Sequence, residues 1–314
     1  MFERLGLIGC GLIGGSFAMA LRRAGLVRHI VGYSPSPATT ERARALGVID
    51  AAAPSALAAV RDADLVLLAL PVSASEAVFN AIRPALGADT LLMDVGSTKA
   101  DVIEAARRSL GERLPGFVPA HPIAGKEVAG IEHAEAALFS GCRVVLTPTD
   151  ATLPAHTQQA TQLWRALGAQ VVTMSAEAHD SAFAAVSHLP HLLAFAYANG
   201  IAGQPQGARF LELAGSGFRD FSRIAGSDPA IWRDILLANR SQLLAQTQAF
   251  RIALDALEAS IVAGDRAGLE TAIASASQTR RNWQPASAST AASTAASTAH
   301  ATPLSQRDAA PPEP

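Results

Sequence analysis

At 314 residues the chain is long for one hydrophobic core and suits two domains. Hydrophobic residues make up 49% and charged residues 17%, and a formal net charge of −2 points away from nucleic-acid and anionic-membrane partners. Two cysteines, Cys10 and Cys142, exclude a disulfide framework and lack metal-ligand spacing, and no apolar run is long enough to span a bilayer, so the expectation is a cytoplasmic α/β protein.

The first apolar run, Leu5 to Ile13, is interrupted by glycines and reads as a strand and turn, not as a signal peptide. "RLGLIGCGLIGGSFAMALRRAG" predicts a strand, a glycine-rich turn and a helix closed by Arg22, Arg23 and Gly25. "HIVGYS" is the next strand, and "ATTERARALG" a helix whose threonines can cap its start. "ADLVLLALP" is a continuous apolar run of the kind expected for a central parallel strand covered on both faces. "TLLMDVGS" and "GFVPAHPIAG" repeat the pattern, and "GCRVVLTP", a helix around "HTQQATQLWRALG" and "AQVVTM" continue it to Met174. Strands alternating with helices at this spacing predict a doubly wound parallel sheet of the Rossmann type over residues 1–174. From Ser175 to Trp283 strand signals fade and apolar residues recur every three or four positions, which predicts an all-helical domain over 175–283. Its apolar excess suggests that it is covered by a second copy, as in a homodimer. The AST-rich segment 284–314 lacks bulky apolar side chains and is expected to be disordered.

Gly9-Cys10-Gly11-Leu12-Ile13-Gly14 is a G-x-G-x-x-G between a strand and a helix in the first βαβ unit. There the glycines make a tight turn, let backbone approach a pyrophosphate, and allow helix and strand to pack closely. Ser34 stands where an acid would bond the ribose 2′-hydroxyl of NAD. Without that carboxylate a 2′-phosphate is not repelled, and Arg42 or Arg44 either approaches it or forms a solvated helix face, so NAD and NADP both remain open. Pro71, Ser73 and Ser97 follow strand ends, where loops line the cofactor crevice; Ser97 or Thr98 can equally cap the following helix. His121 also follows a strand, and an imidazole that titrates near neutrality can accept the proton that oxidation of an alcohol releases. In the helical half, Ser187 and His191 are spaced i, i+4 around Pro190, which is expected to start a helix. Arg219 and Arg223 share that spacing, followed by Asp228 and Trp232. A guanidinium suits a substrate carboxylate, though pairing with Asp220 or Asp234 would equally explain the arginines.

Together "GLIGCGLIGGSFA", "DVGSTK", "HPIAGKEVAG", "SHLPHLLAFA" and "GFRDFSRIAGSDPAIWRDI" resemble, in order, the prephenate/arogenate (cyclohexadienyl) dehydrogenase family over residues 1 to 283. The resemblance implies oxidative decarboxylation of prephenate or arogenate in tyrosine biosynthesis, with hydride transfer to NAD or NADP and no metal. It implies an active site between a dinucleotide domain and a helical dimerisation domain. His121 matches the histidine that takes the ring-hydroxyl proton, and Ser97 a serine beside it. Arg223 matches the arginine that grips a carboxylate, while His191, Ser187 and Trp232 match pocket-lining residues and Glu127 an acid at the entrance. Lys126 departs from the family's usual small hydroxyl residue. It either adds a cation beside the substrate side chain, which would favour prephenate over the ammonium-bearing arogenate, or pairs with Glu127 and points outward. Another dehydrogenase of this architecture, such as a 3-hydroxy-acid dehydrogenase, leaves "SHLPH" and "FRDFSRIA" unexplained. A non-enzymatic dinucleotide sensor leaves the polar clusters of both halves unexplained.

Overall fold

The computed structural model describes residues 1–126 and 128–284. Glu127 and the expected disordered segment, apart from Gln284, lie outside the described residues. Six strands, β1 (Phe2–Ile8), β2 (Val27–Tyr33), β3 (Ala51–Ala52), β4 (Leu65–Leu68), β5 (Leu91–Asp94) and β6 (Phe117–Val118), form one parallel sheet in the order β3-β2-β1-β4-β5-β6. Strand order reverses between β1 and β4, the point at which such sheets open a ligand crevice. The helices α1 (Leu12–Arg23), α2 (Pro37–Ala45), α3 (Ala56–Val60), α4 (Ser75–Ile82) and α5 (Ala100–Ser109) connect these strands. One face of the sheet buries Phe17 against Trp164 at 5.1 Å, and the other buries Phe79 edge-on to Phe117 at 5.2 Å. All four residues of β4 are buried, as its uninterrupted apolar run requires of a strand covered on both sides.

"GFVPAHPIAG" is not one strand. Pro119 separates β6 from β7 (Ala120–Pro122), which pairs antiparallel with β8 (Arg143–Leu146). β8 pairs parallel with β9 (Gln170–Thr173), so the last strands of this half build a second three-stranded sheet and do not extend the first. The chain leaves the main sheet because Pro119 has no N–H for the ladder. The next residue is then held at both of its backbone groups: Ala120 N–H donates to Asp94 Oδ1 at 3.2 Å, and Ala120 O accepts from Lys99 Nζ at 2.8 Å.

After α6 (Pro154–Ala166) and β9 every element is helical: α7 (Ala176–Phe183), α8 (Leu189–Ala202), α9 (Gly207–Glu212), α10 (Ser216–Ser222), α11 (Pro229–Ala238), α12 (Arg240–Ala263) and α13 (Arg266–Asn282). Contacts divide the chain after Ala259, so the strands and most of the helical half belong to one compact unit and α13 to another. α7 runs into α8 through a π turn, Ala184–His188, and Pro190 falls just past that turn, in the first turn of α8. The α2 cap is Ser36, which accepts from Thr39 N–H, and not one of the threonines, because Pro37 already opens the helix. Neither Ser97 nor Thr98 caps α5. The carboxylate of Asp180, on α7, accepts from Lys99 N–H and Ala100 N–H, both at 2.9 Å. No described helix is long and apolar enough to cross a membrane.

Candidate active site

The loops that follow β1, β4 and β5 converge on a cleft of about 480 Å³. One wall is Gly11, Leu12 and Ile13 with Pro71 and Ser97; the other includes Lys126, Ser227, Asp228, Ile231 and Trp232. The glycine loop fits a dinucleotide. Gly9 has φ +99°, and a Cβ there would overlap Ala69 O; a Cβ on Gly14 would overlap Gly9 O. Gly11 differs, for a Cβ there would meet no protein atom within 4 Å. α1 begins at Gly11 without a side-chain cap and without an acid in its first turn, so its N–H groups and dipole are left for an anion. Gly11→Ala should therefore keep the wild-type melting temperature while raising the dinucleotide Kd at least about tenfold. Unchanged affinity in a titration would show that the pyrophosphate does not approach this residue.

Ser34 is buried, and its hydroxyl accepts from Cys10 N–H at 2.8 Å while Thr40 Oγ1 accepts from Ser34 N–H. Its acceptor role goes to holding the glycine loop. Arg42 is paired with Glu132 at 3.0 Å and Arg44 with Glu41 at 2.9 Å. Lys126 is paired with Glu135 at 3.1 Å and donates to His133 O, so its ammonium is held by the loop beyond Gly130.

His121, on β7, is half-buried and is not part of the cleft lining. Its Nδ1 lies 2.8 Å from His179 Nε2, and His179 Nδ1 lies 2.7 Å from Asp180 Oδ1. Phe183 packs on both rings, with centroids 4.8 Å from His121 and 4.4 Å from His179. Burial, reinforced by the neighbouring His179, Lys99 and His188, holds the His121 imidazole well below its ordinary value of 6.5. Lys99 is fully buried and ion-paired with buried Asp94, whose carboxylate also accepts from Gly96 N–H at 2.8 Å. His188 is buried too. Asn239 Nδ2 lies 3.1 Å from His188 Nδ1 and donates to Asp180 O at 2.7 Å, and burial pushes the His188 imidazole down to about 4.

His191 stacks on Trp232 at 3.5 Å and 19°, and its Nδ1 lies 2.9 Å from Ser187 O; only Trp232 of this group lines the cleft. The expected i, i+4 arginine face does not form, because α10 ends at Ser222 and Arg223 opens a 3₁₀ turn. Arg223 is exposed there and outside the cleft lining, and Arg219 pairs with Asp220.

The family model described as the prephenate dehydrogenase nucleotide-binding domain matches residues 17–173, and its dimerization-domain counterpart matches residues 175–275. The chain belongs to the prephenate dehydrogenase family. Within that family it is 37% identical over 268 residues to a cyclohexadienyl dehydrogenase of Zymomonas mobilis, which covers 84% of this chain and 90% of that protein. A crystal structure of prephenate dehydrogenase from Aquifex aeolicus, in complex with hydroxyphenyl propionate and NAD+, superposes with a TM-score of 0.84 at 35% identity. It covers 90% of this chain and 98% of that one. Arogenate dehydrogenase from Synechocystis superposes with a TM-score of 0.77 at 30% identity, covering 90% of this chain and all of that one. A prephenate dehydrogenase fold thus surrounds the cleft, and four polar residues packed around His121 and Ala120 carry no motif of their own. His179, Asp180, Lys99 and Asp94 were missed because each sits in an unremarkable helix or strand end; only the buried-pair geometry marks them. The acid–base adjacency of His179 and Asp180 was the one signal available.

Proposed function

We propose that the protein oxidatively decarboxylates prephenate, with arogenate as the alternative substrate, using a nicotinamide dinucleotide as hydride acceptor. The observation that carries this reading is the pairing of a dinucleotide cradle with His121, an imidazole kept unprotonated near neutrality, in a chain of this family. Residues 1–174 would bind the dinucleotide: Gly9 and Gly14 shape the loop, Gly11, Leu12 and Ile13 offer backbone at the α1 N-terminus, and Pro71 and Ser97 line the cleft beside it. When bound, the dinucleotide supplies the carbon that receives the hydride. His121 takes the ring-hydroxyl proton, so the carbinol carbon can release its hydride as the C–O bond becomes carbonyl-like. The electron pair of the breaking ring–carboxylate bond then flows into the ring, carbon dioxide leaves, and the ring becomes aromatic. The protein's task is positioning and one proton transfer. Ser97 would hydrogen-bond near the reacting hydroxyl, and Arg223, on a surface turn of the helical half, would meet a substrate carboxylate after approach of that turn or of a partner subunit.

The helical half, residues 175–283, would form a homodimer. Val186, Leu213, Leu237, Leu244 and Ile252 are each 60% or more exposed, and an apolar surface of that extent is covered in a stable protein. Ser34 leaves a 2′-phosphate unrepelled, while Arg42 and Arg44 each already face a glutamate, so both dinucleotides belong in the test. The deciding measurement is absorbance of reduced nicotinamide with prephenate and arogenate crossed against NAD and NADP. Turnover of prephenate is expected, and no turnover in any combination would refute the reading. Lys126, at the cleft but half-neutralised by Glu135, is expected to favour the keto side chain, so Lys126→Ala should raise arogenate turnover relative to prephenate severalfold. An unchanged ratio would remove Lys126 from substrate choice.

A further inference from the structure

We propose that His179 and Asp180 are positioning residues that fix His121 in the tautomer carrying its proton on Nδ1, which makes Nε2 the atom that accepts the substrate proton. The inference rests on the reading of His121 as the base and adds the two groups that arm it.

The chain of bonds leaves one consistent assignment. Asp180 Oδ1 accepts from Lys99 N–H at 2.9 Å and faces His179 Nδ1 at 2.7 Å, while Oδ2 accepts from Ala100 N–H at 2.9 Å. These amides open α5, where the helix dipole favours negative charge, and the hydrogen bonds hold the Asp180 carboxyl below its usual range although it is buried. An ionised carboxylate only accepts, so His179 Nδ1 must donate. Burial keeps the His179 imidazole neutral, which puts its lone pair on Nε2. His121 Nδ1, 2.8 Å away, then has to donate, and its own lone pair lies on Nε2. The opposite tautomer of His121 needs a proton on His179 Nε2. That would set two lone pairs against each other at 2.7 Å, or else create an imidazolium in a buried site already facing the Lys99 ammonium.

The groups facing His121 are His179, Lys99 and His188, and those facing His179 also include Asp180 and Asp94. Phe183 covers both rings and keeps the pair in register. When Nε2 takes the substrate proton, His121 becomes an imidazolium whose Nδ1–H still donates to His179. The positive charge is offset through His179 by Asp180, so no second proton has to leave during the step. Asp180 and His179 lie on α7, and Asn239 holds the Asp180 carbonyl from the end of α11, so the helical half sets the tautomer of a base carried by the strand half.

Nitrogen-15 long-range correlation spectra of the full-length protein at neutral pH read the tautomer directly, with His121 assigned by the signal that His121→Asn removes. Protonated Nδ1 and unprotonated Nε2 are expected, and a protonated Nε2 overturns the proposal. In kinetics, a glutamine at 179 can still accept from His121 Nδ1–H through its amide oxygen but loses the link to Asp180. His179→Gln should lower kcat about tenfold or more and move the acid limb of the pH profile downward, because the His121 imidazolium loses its link through His179 to the Asp180 carboxylate. KM and dinucleotide Kd should stay within about twofold. Asp180→Asn should cost more, on the order of 10²-fold or more, because the neutral amide no longer offsets the His121 imidazolium and sets an NH2 group against one of the α5 amides. Wild-type kcat and pH profile in His179→Gln would also overturn the proposal. Full activity in His121→Asn would instead sink the base assignment, so the two failures are distinguishable.

Discussion

His121→Asn is expected to lower kcat with prephenate by on the order of 10²- to 10⁴-fold while leaving dinucleotide affinity near wild type. The asparagine amide can occupy the place of Nδ1 and keep the contact with His179, but it puts nothing where Nε2 stands. The variant therefore removes the proton acceptor with little disturbance to packing against Phe183. The pH profile of the wild type adds a second check. A base must be unprotonated to act, and burial, with Lys99, His179 and His188 beside it, holds this imidazole well below 6.5, so activity should be level through neutrality. It should fall only as the pH drops through that lowered value. An acid limb centred at or above 6.5 would contradict the environment described for His121, and a fully active asparagine variant would remove it from the chemistry altogether.

Asp94→Asn is expected to destabilise the fold by about 3–5 kcal/mol, a large share of the roughly 5–15 kcal/mol that holds a typical domain. The side chains of Asp94 and Lys99 are 4% and 0% exposed, so the substitution leaves a buried ammonium facing a neutral amide. The same carboxylate accepts from Gly96 and Ala120, and Lys99 Nζ also binds Ala120 O; the pair therefore fixes the residue that precedes His121. Activity should fall with stability. Combining Asp94→Asn with Lys99→Met should recover part of the loss, because the stranded charge is gone, although Ala120 O then loses its donor at a cost of about 1–3 kcal/mol. Urea denaturation of the three variants measures this directly. A single mutant within about 1 kcal/mol of wild type would show that water reaches Lys99.

The first βαβ unit and the change to helices after Met174 were legible because each is written in local pattern: glycines at motif spacing, a continuous apolar run for a strand covered on both faces, and three- and four-residue periodicity beyond it. The family resemblance rested on short segments whose order survives in the chain. His121 was expected just past a strand of the main sheet; it lies inside β7 of the second sheet, paired with Val145 and outside the cleft lining. What surrounds it was not legible. Past the break at Pro119, Ala120 is held in β7 by Asp94 and Lys99, which lie 26 and 21 residues before it. The α5 cap comes from Asp180, some eighty residues later, where local sequence offered Ser97 and Thr98. Arg219 and Arg223 share the spacing of one helical face, but the helix ends between them, and Lys126 pairs with Glu135, nine residues on. Sequence by itself determined which residues are apolar, which turns need glycine, and therefore the layers of the fold. Only the tertiary structure decided which polar groups meet. Periodic burial is a property of one segment, whereas a buried charge or imidazole is stable only with a partner, and that partner is chosen by how distant segments pack.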